Sequence, residues 1–164
     1  MSKPQPRILI SACLLGSNVR YDGGNCLNHP DTSGQDLITQ WQQQGLLLPL
    51  CPEVAGGLPV PRPAAEIQTQ GMALQVLNVA HNDVTAHFQS GAKQALALCK
   101  KYNIHIAVLK EGSPSCGSGL INDGSFTKTK IQGEGVTTQL LREHGIEVFN
   151  EMQTEDVLLA LKQQ

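Results

Sequence analysis

Aromatic residues are scarce, with one Trp, two Tyr and three Phe in 164 residues. Charge of either sign is not in excess: 12 Lys and Arg stand against 14 Asp and Glu, a net charge of −2. A nucleic acid is therefore not expected as the main partner. No apolar run approaches the ~20 residues that a membrane-spanning helix needs. The N-terminal PRILISAC imitates a lipoprotein cleavage box, but only Ile8, Leu9 and Ile10 precede the small residues. A signal core needs roughly 7–15 apolar residues, so this segment reads as a buried first strand. A cytoplasmic protein with neither a nucleic acid nor a membrane as partner is expected.

Local signatures of chemistry are missing too. There is no CxxC pair, no Cys/His finger spacing, no GxGxxG and no Walker loop. Five cysteines are present, Cys13, Cys26, Cys51, Cys99 and Cys116. An odd number in a reducing compartment argues against a disulfide framework. Cysteines that bind something here must be gathered by the fold. The hydrophobic content of 40% over 164 residues suits one domain, 1–164, with a sizeable core. Monomer and homodimer stay open.

Along the chain, short apolar runs alternate with helical patterns. RILISAC, LLLPLC, IHIAVL and IEVFN read as strands. QDLITQWQQQG carries Leu37, Ile38 and Trp41 at helical spacing before Gly45. DVTAHFQSGAKQALALCKKY puts Val84, Phe88, Ala92, Ala95, Leu96 and Cys99 on one face, with Asp83 as cap. GVTTQLLREHG is a further helix, and TEDVLLALKQQ a last one capped by Thr154. CPEVAGGLPVPRPAAEI is too rich in Pro and Gly for a regular element and reads as a long functional loop. MALQVLNV is an extended piece, and INDGSFTK a small hairpin turned by Asp-Gly. The expected fold is α/β: a three-layer, Rossmann-like, mostly parallel sheet with helices on both faces, plus a small β-hairpin.

Ligands of such folds bind beyond the carboxyl ends of the strands. Cys13 ends the first strand, Cys51 the second, and Cys116 follows the third in KEGSPSCGSGL. Parallel neighbours would bring these three thiols to one crevice. Cys99 falls on an apolar helix face as a core filler, and Cys26 in a loop. Three thiolates suit zinc, copper(I) or an iron–sulfur cluster. A [4Fe–4S] cluster normally takes four, so three leave one position open to a soft substrate atom. None of His29, His81, His87, His105 and His144 is placed to complete a zinc site. Residue placement alone leaves two readings: a joint site, or unrelated buried cysteines. Cys116 also stays open as a nucleophile.

ISACLLG, RYDGG, CPEVAGGLPVPRPAAEI, DVTAHFQSGA and LKEGSPSCGSGLINDGSF resemble, in that order, the motifs of the YbbK-like family associated with thiouracil desulfidases. The resemblance runs from about Ile8 to Glu151. It implies a [4Fe–4S] enzyme that takes sulfur from a thiolated nucleobase, giving uracil and hydrogen sulfide from 2-thiouracil. It places the ligands at Cys13, Cys51 and Cys116, a catalytic carboxylate at Glu53, and a catalytic serine at Ser113 with Ser115 as the substitute. Many members carry a further cysteine just before RYDGG, where this chain has Val19. Ser115, Lys110, Asp22 and Arg62 are candidates for holding substrate. Against that, Asp22 would serve only its turn, Arg62 would pair with Glu66, and Lys110 would be a solvated charge. Other readings to be tested are a non-catalytic iron–sulfur or metal-binding module, and a desulfidase of another thiolated small molecule.

Overall fold

The structure, a computed structural model, describes residues 5–27, 34–68 and 73–164. His29 lies outside the described residues. Four short parallel strands make the central sheet, in the order β2-β1-β5-β8. They are β1 (Ile8–Ser11), β2 (Leu47–Leu50), β5 (Ile106–Val108) and β8 (Glu147–Phe149). β1 and β5 are buried along their whole length, as strands covered on both faces must be. β2 lies at an edge, where Pro49 can sit without breaking an inner ladder.

The alternation of side chains divides the interior in two. Ile8, Ile10, Ile106 and Val108 pack beneath α1 (Gln35–Gln43) and α5 (Thr154–Lys162), with Ile38, Trp41 and Val157. Leu9, Ala107 and Val148 face the other way, against Ala95, Leu96 and Cys99 of α3 (Thr85–Tyr102) and Leu141 of α4 (Val136–Glu143). The layers are helix, sheet, helix, as the alternating pattern predicts. Cys99 is buried in the second of these cores.

The Pro/Gly-rich segment departs from its expected looseness. Pro52–Ala55 form α2, which Pro52 starts because its missing N–H is not needed there. Ala65–Ile67 form β3, paired antiparallel with β4 (Val76–Asn78). The hairpin is also wider than Asp-Gly suggests. β6 (Leu120–Asn122) pairs with β7 (Lys130–Gln132), and Asn122 faces Lys130, so residues 123–129 form the tip. Two caps differ as well. Thr154 is the first helical residue of α5 rather than its cap. Asp83 accepts the Thr85 amide at 2.9 Å from one position before the Val84 N-cap. Among the described residues no helix is long and apolar enough to cross a membrane.

Candidate active site

The strand order reverses between β1 and β5. From β1 the chain moves out to β2 on one side, then crosses to β5 on the other. Such a switch point opens a crevice at the strands' carboxyl ends. A cavity of about 450 Å³ lies there, within the ordinary range for small-molecule sites. Cys13, Cys51 and Cys116 all line it, each from a different strand end.

Each thiol has its own mounting. After Ser11 the chain winds into a 3₁₀ helix, Ala12–Leu15, that carries Cys13 and ends at Gly16 with φ +91°. Cys51 is the N-cap of α2, and its Sγ lies 3.8 Å from the Val19 carbonyl. The loop of Cys116 is held by the start of α4. The amides of Gly135, Val136 and Thr137 donate to the carbonyls of Gly117, Pro114 and Ser115 at 2.7–2.9 Å. These are the N–H groups that a helix start leaves without intrahelical partners. Thr138 donates to the Cys116 carbonyl at 2.9 Å. A Cβ on Gly135 would lie 2.4 Å from the Ser115 carbonyl carbon, so only glycine allows this approach.

Glu53 reaches the same site from α2, whose backbone touches α3. A Cβ on Gly91 would lie 1.9 Å from the Pro52 carbonyl oxygen, and one on Gly56 the same distance from that of His87. Arg62 donates through Nε to Glu53 Oε1 at 3.2 Å and through its two Nη atoms to the carbonyls of Pro59 and Val19. Arg62 is thus the partner of Glu53, not of Glu66. Glu66 is buried instead beneath the hairpin tip, accepting the amides of Gly124 and Phe126 at 3.0 and 3.2 Å. Phe126, Lys128 and Lys130 of the hairpin line the cavity, as does Tyr21.

The serines divide their work. Ser115 is 1% exposed and donates to Glu53 Oε2 at 3.2 Å; its Oγ lies 3.4 Å from Cys116 Sγ. Ser113 Oγ lies 3.5 Å from the same Glu53 oxygen and accepts the amides of Ser115 and Cys116. Ser113 is the less buried of the two. On the far side of Cys116, Ser11 donates to the thiol at 3.6 Å and accepts the Lys110 amide at 3.0 Å.

Lys110 also lines the cavity, with Nζ 2.9 Å from Glu151, so it is paired and not a free solvated charge. Asp22 is not among the lining residues. Its carboxylate closes a turn by accepting the Gly24 amide at 2.8 Å. No described histidine lines the cavity. His87 and His144 instead contact the carbonyls of Gly56 and Leu140.

Three residues escaped the sequence reading. Glu111 accepts the amides of Ser118, Gly119 and Leu120 at 2.8–3.2 Å and the Asn150 side chain at 3.0 Å, so one carboxylate ties the Cys116 loop together. Burial works against its charge, but the amides of Gly119, Ser118 and Leu120 outweigh it and hold the carboxyl below its usual range. Glu151 does similar work on Lys110 and on the Glu111 amide. Cys26, expected as a loop residue, is 1% exposed in the core beside Cys13. No spacing signal marks these residues: Glu111 collects the amides of an irregular loop seven to nine positions on, and Glu151 acts on residues some 40 positions away.

The donor chemistry fits a sulfur-ligated cationic group. Hydrogen bonding to Cys26 and burial push the Cys13 thiol up, and Cys116 and Cys51 add to the rise. Burial raises Cys51, and it raises Cys116 to about 12. Three such thiols resist becoming thiolates together unless positive charge joins them. Among the described residues no three of His, Cys, Asp or Glu are grouped to hold a single ion. Soft sulfur donors of this kind suit an iron–sulfur cluster.

The sequence model of the 2-thiouracil desulfurase family matches residues 8–153. The chain belongs to this family. Its relatives include the uncharacterized protein YbbK of Bacillus subtilis strain 168, 37% identical over 158 residues, covering 92% of this chain and 99% of that protein. Among solved structures, this family member resembles the [4Fe-4S]-dependent thiouracil desulfidase TudS. That likeness has a TM-score of 0.87 and 47% identity, and covers 98% of this chain and 100% of the other.

Proposed function

We propose that the protein is a desulfidase that hydrolyses the carbon–sulfur bond of a thiolated pyrimidine such as 2-thiouracil, giving uracil and hydrogen sulfide. The observation that carries this reading is the convergence of three strand-end thiols with Glu53 and Ser113 on one cavity. Family membership and the TudS likeness support it. Cys13, Cys51 and Cys116 would hold a [4Fe–4S] cluster. When bound, the cluster supplies a Lewis-acidic iron with an open position for sulfur.

The chain's own groups account for the proton movements. Thiouracil and one water give uracil and hydrogen sulfide, so both protons leave the attacking water and two reach the departing sulfur. Glu53 takes the first of them. Arg62 fixes the carboxylate through Oε1, which leaves Oε2 toward the serines. Ser113, at the cavity wall, meets the pyrimidine edge, while Ser115 stands behind it and steadies both Glu53 and the Cys116 thiol. Lys110 and Arg62 set the polar side of the cavity, and Tyr21 and Phe126 offer aromatic surface to a flat base. Asp22 would act only by shaping its turn. We read the chain as one domain, 1–164, working in the cytoplasm on a small molecule, without nucleic acid or membrane, as monomer or homodimer.

Anaerobic reconstitution followed by sulfide assays on a panel of thiobases tests this function. A brown protein with about four irons and release of sulfide from 2-thiouracil are expected. Substituting Cys13, Cys51 or Cys116 by alanine should remove the colour. A full cluster with no turnover of any thiobase would favour an iron–sulfur carrier instead.

A further inference from the structure

Cys26 has no part in the chemistry above, yet it sits against a proposed ligand. Its amide donates to the Cys13 carbonyl at 2.9 Å. Cys13 packs on the buried core cluster that contains Cys26. Main chains in such contact suit a disulfide, whose Cα atoms lie about 4.4–6.8 Å apart. Access to the two differs. Cys13 borders the cavity and is half-buried, whereas Cys26 is 1% exposed and packs in the core behind it. A small oxidant entering the cavity therefore meets Cys13 first and finds a second thiol already in place to resolve the product.

We propose that Cys13 and Cys26 are a redox pair, which closes to a disulfide under a hydroperoxide whenever the cluster is absent. Hydrogen peroxide transfers one oxygen to the Cys13 sulfur, leaving a sulfenic acid and one water. The Cys26 sulfur then attacks the Cys13 sulfur. The S–S bond forms, the S–O bond breaks, and hydroxide leaves with the Cys26 proton as a second water. Two thiols lose two electrons and one peroxide gains two. The disulfide keeps Cys13 from the irreversible sulfinic and sulfonic stages, and withholds it from ligation until a thiol reductant reopens it. Only the effect on loading rests on Cys13 being a ligand; the bond itself does not.

The test uses the full chain, stripped of iron by a chelator under reducing conditions and freed of reductant. Hydrogen peroxide is added, remaining thiols are alkylated, and peptides are mapped by mass spectrometry. The expected product is a Cys13–Cys26 peptide pair lacking two hydrogens. Dithiothreitol should reverse it and restore iron loading to the untreated level. Cys26→Ser should load iron fully before oxidation, then carry sulfinic or sulfonic acid at Cys13 and fail to reload. A bond from Cys13 to Cys51 or Cys116, or equal overoxidation of Cys13 with and without Cys26, overturns the proposal. The wild-type map decides alone if the variant does not fold. A Cys13–Cys26 bond in a protein that never loads iron upholds the pair and overturns the ligand reading.

Discussion

Replacing Arg62 by alanine removes a guanidinium whose side chain is 4% exposed, from a carboxylate that is 14% exposed. It also strips the Val19 and Pro59 carbonyls of their donor. Breaking a buried pair by deleting one member typically costs about 3–5 kcal/mol, because the remaining charge stays in a poor solvent. In a chain of 164 residues each kcal/mol lowers Tm by about 2–4 °C, so a drop of roughly 10 °C is expected. The double variant Glu53→Gln/Arg62→Met leaves no orphan charge and should be more stable than Arg62→Ala. Differential scanning calorimetry and urea unfolding of wild type, Glu53→Gln, Arg62→Met and the double variant give the coupling directly. The variant should also lose sulfide release, since Glu53 is no longer oriented. A loss below about 1 kcal/mol, the range of exposed pairs, would refute the argument that this pair is buried and shapes the site.

Gly135→Ala should push the Cys116 loop away from α4; lower iron content per chain at retained helical circular dichroism is the expected outcome. Glu66→Ala removes the carboxylate beneath the hairpin tip, where bonds to charged groups are worth about 1.5–3 kcal/mol each. Limited proteolysis should then cut faster within residues 123–129, and KM for thiouracil should rise more than kcat falls. Cys99→Ala should leave the cluster spectrum intact and cost only stability, from the cavity it opens in the α3 core. A bleached Cys99→Ala beside a coloured Cys13→Ala would reverse the ligand assignment.

The sheet was legible because its inner strands, β1 and β5, are buried on both faces and read as continuous apolar runs, and the edge strand β2 is apolar as well though only half-buried. The meeting of Cys13, Cys51 and Cys116 at one cavity was legible because each follows an apolar run. The Pro/Gly segment was not, because α2 is a four-residue helix stabilised from outside. The side chain of Gln94 donates to the Ala55 carbonyl at 2.7 Å, and α3 presents glycine where α2 crosses it. Sequence proximity suggests Glu66 as the alternative partner of Arg62, whereas α2 brings Glu53 within reach and the hairpin amides occupy Glu66. Cys26 was passed over because nothing in a loop of Gly, Asn and Asp announces burial. Its contact with Cys13 depends on how the chain folds back after Gly16.

The parallel sheet sets an order of events in the cell. Cys13 and Cys51 follow neighbouring strands, but Cys116 emerges later, and its loop is clasped by the amides that open α4 around Gly135. A nascent chain released only as far as α3 cannot present the three sulfurs together. Cofactor insertion by the reading proposed above is thus a late step in biogenesis, following synthesis of most of the polypeptide. A ribosome stalled before residue 135 would display thiols with nothing to hold.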